Sequence, residues 1–308
     1  MKRKNRKIMI HKTAAIIVTY NRKELLLQNI EALLKQTFFE LLDIIIIDNA
    51  SIDGTFNAVK KYIDTSEITY INTGCNLGGA GGFQYGIRYA AEQDYEFVWV
   101  MDDDCIPNEN ALEKFYEIDN ELKIDYGYLS SKVLWKDGSV CHMNCQRRTV
   151  TRCNKDFESR VVPIKMASFV SLFIPVKIVK QIGLPIKEFF IWTDDWEYTR
   201  RISKRYKCYL VNSSVVIHHS KNNIGANIAT EESDRLERFR YLYRNDVYLY
   251  RREGIIGFLY EVIRLTAHIL RVLFKSKDKR WQRMCYIIKG TIEGFQFKPE
   301  IEYIHSIK

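Results

Sequence analysis

Phe97-Val-Trp-Val-Met-Asp-Asp-Asp104 runs from an apolar stretch straight into three consecutive aspartates. A short apolar run of this kind reads as a buried strand, which puts the carboxylates at its carboxyl end. Three such groups side by side repel one another unless a cation lies between them. Mg²⁺ and Mn²⁺ take hard oxygen ligands, commonly one or two carboxylates plus substrate phosphates. The stretch therefore predicts a divalent ion holding a diphosphate at the rim of a sheet. The competing reading is a solvated acidic turn that caps the next helix.

Two upstream junctions share this design. Ala14-Ala-Ile-Ile-Val18 breaks into Thr19-Tyr-Asn-Arg22, and Ile44-Ile-Ile-Ile47 ends in Asp48-Asn-Ala-Ser-Ile-Asp53-Gly54-Thr55. Between them, Lys23 to Lys35 carries Leu25, Leu26, Ile30, Leu33 and Leu34 at helical spacing, and a second helix opens near Thr55. Such β-α-β-α alternation implies an α/β protein with a mostly parallel central sheet flanked by helices. Ligands of such sheets bind beyond the carboxyl ends of the strands, where these polar residues cluster. A fourth element, Asn76-Leu-Gly-Gly-Ala-Gly-Gly-Phe83, leads into a helix through Gln84 to Glu92. Its glycines would let backbone amides approach an anion; the alternative is a tight turn that packs a helix on the sheet. No glycine fingerprint follows the first strand, which disfavours a dinucleotide-dependent oxidoreductase.

In order, Thr19-Tyr-Asn-Arg22, Asp48-Asn-Ala-Ser-Ile-Asp-Gly54, Asn76-Leu-Gly-Gly79 and the Asp102–Asp104 triad resemble the signature of family-two glycosyltransferases with a GT-A fold. The likeness covers roughly residues 13 to 250, and the stretch Asn76–Phe83 is most similar to bacterial galactofuranosyltransferases. The resemblance implies an inverting enzyme that uses a sugar nucleotide with Mn²⁺ or Mg²⁺. It implies donor-binding roles for Thr19, Asn21, Arg22, Asp48, Asn76, Gly78, Gly79, Asp102 and Asp103. Asp102 and Asp104 would share the metal, with Asp104 its firmest ligand, while Asp103 would turn towards the sheet or the donor sugar.

Phe189-Phe-Ile-Trp-Thr-Asp194-Asp195-Trp196-Glu197 is a second acidic cluster. Inversion at an anomeric carbon needs a base opposite the leaving diphosphate, and aromatic surroundings raise a carboxylate's pKa. The competing reading is first-turn acids favoured by a helix dipole. By resemblance Asp195 is the base and Asp194 an acceptor contact, with Trp192, Trp196 and Glu197 around the acceptor. Trp192 stands one position from the family's tryptophan, with Thr193 in its place. Val215-Val-Ile-His218-His219-Ser220 is another apolar run ending in polar residues; by resemblance His218 ligates the metal, with His219 in reserve. The polar segment Lys221 to Asp234 reads as a loop, placed over the donor in the family. In the helix that follows, Tyr243, Arg244 and Asn245 correspond to family residues beside the diphosphate, and Arg244 joins the donor-binding set.

The chain has 308 residues and a net charge of +9. The basic tail 1–12 and residues 251–308 together carry +12, so residues 13–250 carry −3. An acidic body with basic ends excludes a general nucleic-acid binder and suits an anionic membrane surface. The expected organisation is a basic N-terminal tail (1–12), a catalytic domain (13–250) and a helical appendage (251–308). In Gly254 to Lys275, Glu261, Arg264, His268, Arg271 and Lys275 form one polar stripe among apolar residues. This is an amphipathic helix for a membrane surface or for a contact with the domain or a homo-oligomer partner. The basic start lacks an apolar core after it, so no signal peptide is expected. Seven cysteines without a Cys-x-x-Cys pair suit a reducing compartment. These readings predict a cytoplasmic enzyme, peripheral at the inner face of the cell membrane. It would pass galactofuranose from UDP-galactofuranose to a lipid-linked glycan. The alternatives are a dTDP-rhamnose-dependent rhamnosyltransferase and a non-catalytic sugar-nucleotide-binding protein.

Overall fold

The computed structural model describes residues 12–304; all of the basic tail except Lys12 lies outside them. Strands β1 (Thr13–Thr19), β2 (Leu42–Asp48), β3 (Ile68–Asn72) and β4 (Phe97–Asp102) are parallel in the order β3-β2-β1-β4. Helices α1 (Lys23–Leu33), α2 (Thr55–Asp64) and α3 (Gly78–Ala91) make the crossovers. Every residue of β1 is buried, because the sheet is covered on both sides. Ala15 and Ile17 join the core with Leu26 and Ile30 of α1, whereas Ala14, Ile16 and Val18 join that of Phe83 and Ile87 of α3. The β-branched runs satisfy this two-sided burial, and the chain turns polar where the cover ends.

α3 begins at Gly78, so the glycine run lies inside the helix and not in a loop ahead of it. Glycine is a poor helix former, but here its missing side chain is what the packing uses. A Cβ on Gly82 would strike Val18, one on Gly86 would strike Ile16, and one on Gly78 would strike the Phe190 carbonyl. Gly78 also has a positive φ of 71°. Gly78→Ala is therefore expected to destabilise the protein by at least about 2 kcal/mol, seen as a lower denaturant midpoint, and to lower turnover through the displaced 189–192 segment.

The second half comprises β5 (Cys105–Pro107), α4 (Ala111–Leu122), β6 (Leu129–Trp135), β7 (Val161–Ile164), β8 (Leu172–Pro175) and α5 (Val176–Ile182). Then come α6 (Asp194–Ser203), β9 (Cys208–His218), α7 (Arg238–Tyr250), α8 (Gly254–Lys275) and α9 (Arg280–Gln296). The sheet continues β4-β8-β6-β9-β5, with β7 on β9. β5 follows β4 after only Asp103 and Asp104, yet it pairs with the far strand β9, Cys105 opposite His218. The sheet must curl to close that path, and the aspartates sit in the bend. The C-terminal helices are built onto this body: Leu236, Phe239 and Tyr243 share a core cluster with Val272 and Ile287.

Candidate active site

Parallel pairing sets the ends of β1, β2 and β4 level, with Thr19 opposite Asp48 and Val18 opposite Asp102. The β5–β9 ladder then delivers His218 to the same bend, and the His219 amide donates to the Asp104 carbonyl at 2.8 Å. His218 is the imidazole that faces the acids; its Nε2 lies 3.0 Å from Asp104 Oδ1. Its Nδ1 is 2.9 Å from Asn144 Oδ1, which fixes the ring's orientation. Ligand atoms of Asp102, Asp104 and His218 all lie within 4.8 Å of one another. Asp104 Oδ1 is buried, and His218 Nε2 is the neighbour it faces. Hard carboxylate oxygens and one imidazole fit a divalent ion.

Charge within the bend is divided unevenly. Burial and the neighbouring Asp104 push Asp102 up to about 6, and burial pushes Asp103 up to about 7 against the pull of Arg22. Burial also opposes ionisation of Asp104, but His218 and Arg22 outweigh it and hold Asp104 below the usual carboxylate range. Burial would lower His218; the hydrogen bond to Asp104, the Cys141 thiol and the acid charges instead raise it to about 10. Asp103 turns away from the cluster, accepting from Thr19 Oγ1 at 2.8 Å. The Arg22 guanidinium bridges Asp104 at 2.7 Å and Asp103 at 3.4 Å while staying half exposed.

The remaining donor candidates sit along the same rim, several of them committed to holding it together. Asp48 is fully buried and accepts from the Ser51 amide and the Tyr70 hydroxyl. Asn21 receives the Ile52 amide at 2.8 Å, tying two rim loops together. Asn76 Oδ1 receives the Gly78 amide at 2.9 Å, and Asn49 reaches the Gly78 carbonyl. Gly79 has open space where its Cβ would be.

Asp194 and Asp195 open α6. Asp194 is buried, Asp195 half-buried. A helix N-terminus favours ionised acids, yet burial raises Asp194 to about 7, and burial with the Asp194 charge raises Asp195 well above the carboxylate range. Asp102 raises both, so the acid pair and the carboxylate–imidazole cluster share one field. The chain reaches α6 through backbone that side chains rarely adopt: Phe190, Trp192 and Thr193 have φ of 64°, 65° and 68°. Strain of this kind persists only where the surroundings over-determine it. Asn245, fully buried on α7, supplies that by donating to the carbonyls of Phe189, Ile191 and Trp192 at 2.9–3.0 Å. Thr193 Oγ1 donates to Asp246 at 2.6 Å, and Asp246 pairs with Arg264 of α8 at 2.8 Å. Asn245→Ala should cost about 2–4 kcal/mol, because buried carbonyls lose their donors; denaturant melts and a parallel fall in turnover would check this.

Several sequence expectations are redirected here. Glu197 spends both oxygens on Arg201, at 2.9–3.0 Å, and is buried, so it braces α6 and does not offer itself to an acceptor. Arg244 clasps the carbonyls of Glu188 and Phe189 and stacks on Phe297, which commits it to the 188–189 turn and not to a diphosphate. Trp192 packs on Phe239, ring centroids 5.2 Å apart. Trp196 lies under Arg147, whose guanidinium is 4.5 Å from the ring centre. Arg147 also donates to the Tyr250 hydroxyl and lowers the Asp195 shift. Tyr243 is buried and bonded to His268 at 2.9 Å. Asn144, Arg147 and Asp246 carry no local signal in the sequence; their partners His218, Tyr250 and Thr193 lie far away along the chain. The 221–234 segment is irregular as expected, but Arg283 and Ser276 anchor it through the Ile228, Ala229 and Glu231 carbonyls.

A curled sheet flanked by helices, with a carboxylate–imidazole cluster at its bend, is the GT-A architecture of glycosyltransferases. Residues 14–126 match the profile of Glycosyl transferase family 2. It is 36% identical over 100 residues to galactofuranosyltransferase GlfT1 of Mycobacterium tuberculosis, a match covering 31% of either chain. That alignment spans about a third of the relative's length. Low-salt glycan biosynthesis hexosyltransferase Agl10 of Haloferax volcanii is 22% identical over 307 residues, 95% of this chain and 94% of that one. Among solved structures, S. aureus TarS 1–349 superposes with a TM-score of 0.55 at 14% identity, covering 93% of this chain and 72% of that one. GalNAc-T7 with UDP, GalNAc and Mn²⁺ gives 0.57 at 14% identity, covering 84% and 55%. At these identities the structures speak for the fold.

Proposed function

We propose that this protein is an inverting, metal-dependent hexosyltransferase that moves galactofuranose from UDP-galactofuranose to a lipid-linked glycan at the inner face of the cell membrane. Residues 13–250 would form its catalytic unit, with 251–308 as a helical appendage. The observation that carries the reading is the position of Asp102, which belongs to the ion-binding cluster and also acts electrically on Asp194 and Asp195. On this reading leaving group and base would share one site. Asp102, Asp104 and His218 would hold Mn²⁺ or Mg²⁺, which supplies charge stabilisation to the departing diphosphate. Arg22 lies beside the same acids, with half its side chain free to meet phosphate oxygens. Asp195 takes the proton of the acceptor hydroxyl as its oxygen bonds to the anomeric carbon. The bond from that carbon to the diphosphate oxygen breaks on the opposite face, UDP leaves with the electron pair, and the configuration inverts. Asp194 would orient the acceptor hydroxyl, with Trp192 and Trp196 beside it.

The galactofuranosyltransferase relatives favour this donor over dTDP-rhamnose. Turnover with a panel of UDP- and dTDP-sugars, with and without Mn²⁺, tests the choice, and proton NMR of the product reads its anomeric configuration. Product that keeps the donor's configuration, or turnover indifferent to EDTA, would overturn the mechanism. Turnover confined to dTDP-rhamnose would overturn the donor.

A further inference from the structure

The N-terminal part of the polar stripe of α8 points inward, while Arg271 and Lys275 at its far end are exposed. Arg264 pairs with Glu261 and with Asp246 of α7, and His268 meets the Tyr243 hydroxyl. Glu261 is buried outright. The opposite face, which the stripe alone would have assigned to the protein, is left in solvent. Ile255, Ile256, Leu259, Ile263 and Phe274, with Trp281 at the start of α9, are 53–79% exposed. An apolar surface of this extent marks a contact site.

The charges around it select its occupant. Arg252 stands at one end of α8, and Arg271, Lys275, Lys277, Lys279 and Arg280 at the other, all exposed. The acids nearby are turned inward or paired: Glu253 to Arg200 and Lys204, Glu261 to Arg264, Asp278 to Arg283. Both ends of the apolar face are therefore cationic. A second copy packed on it, parallel or antiparallel, would press cation against cation. An anionic lipid surface complements the apolar face and both ends at once. No helix among the described residues is long and apolar enough to cross a membrane.

We propose that the outer face of α8, with Trp281, is the docking surface of this protein for an anionic lipid bilayer, the helix lying in the headgroup plane. Its inner face reaches the acid pair through Arg264, Asp246 and Thr193. The bilayer would then lie roughly one helix diameter, about 10 Å, from that chain of contacts. On the glycosyltransferase reading, which this consequence alone rests on, a lipid-linked acceptor meets Asp195 without leaving the surface.

The test uses the full chain and sedimenting vesicles of phosphatidylcholine, with or without phosphatidylglycerol. Partitioning onto the anionic vesicles is expected, weakened by salt, with a blue shift in emission that Trp281→Phe removes. The double variant Leu259→Glu/Ile263→Glu should partition at least about tenfold more weakly, while its melting temperature stays unchanged because both positions are exposed. No partitioning of the wild type, or equal partitioning of the double variant, would overturn the proposal. So would a wild-type dimer in light scattering that the double variant turns into a monomer, which would assign the face to a second copy. Sugar transfer is not read in this assay, so failure of the catalytic assignment would leave its outcome intact.

Discussion

Asp195→Asn is expected to lower turnover by about 10²–10⁴-fold while leaving the protein as stable as the wild type or more so. Asparagine keeps the size of the side chain and removes the charge. The Asp195 carboxyl is half-buried beside Asp194, and burial with that second acid raises it well above the ordinary carboxylate range. A group raised in the folded state stabilises it most when protonated, and that contribution fades as pH climbs past the unfolded value near 4. The stability gain of the variant should therefore be absent at acid pH and grow from about pH 4 upward, read by denaturant melts in EDTA. Asp194, raised to about 7, gives Asp194→Asn the same sign. Wild-type turnover should rise with pH as the base loses its proton, at higher pH than an unperturbed carboxylate would give. Binding of Mn²⁺ and UDP should survive in Asp195→Asn. Turnover within about threefold of the wild type would remove Asp195 from the chemistry, since a general base contributes far more.

How far the sequence foretells this site depends on the distance over which each feature is encoded. The rim loops were legible because each is announced by its own strand: Ile44–Ile47 must be buried, so Asp48 must fall at the edge. His218 was legible for the same reason. Curling of the sheet, which brings His218 to Asp104, follows from β5 pairing with β9 more than a hundred residues away. The glycines of 78–86 misled because their helix-breaking tendency is local, whereas the gain from seating α3 against Val18 and Ile16 is tertiary. Glu197 and Arg244 were read by position alone; in the fold Glu197 pairs with Arg201 one helical turn on, and Arg244 donates to the Glu188 carbonyl, 56 residues away along the chain. Asn245 was among the candidates, but its work is on the carbonyls of the strained 189–192 segment. For α8 the periodicity defined two faces correctly and gave their orientation no sign. Pairing of Arg264 with Asp246 turned the first half of the charged stripe inward, against the usual rule that polar faces meet water.

Asp104→Asn should abolish ion binding to a degree that can be measured without any sugar. A lost inner ligand should weaken Mn²⁺ by at least about 100-fold, since even supporting residues around a metal cost 10–100-fold. The electron paramagnetic resonance of free Mn²⁺ reports this directly. For the wild type, millimolar Mn²⁺ should raise the melting temperature, because an ion that binds only the folded state stabilises it by mass action; the variant should show no such rise. Its stability without metal should also fall, for a stated reason. Asp104 is held below the usual carboxylate range by His218 and Arg22 against the cost of burial. Its ionised form therefore stabilises the fold above about pH 4, an advantage lost as pH falls through the folded value. The variant forfeits that advantage and leaves Arg22 with Asp103 alone, 3.4 Å away. His218 and Asp102 are raised to about 10 and about 6 and must shed protons to serve as ligands, so wild-type Mn²⁺ affinity should rise with pH throughout the range below about 10. An Asp104→Asn variant that binds Mn²⁺ as the wild type does, with the same pH trend, would mean that the three side chains gather in the bend to satisfy one another and not to hold an ion.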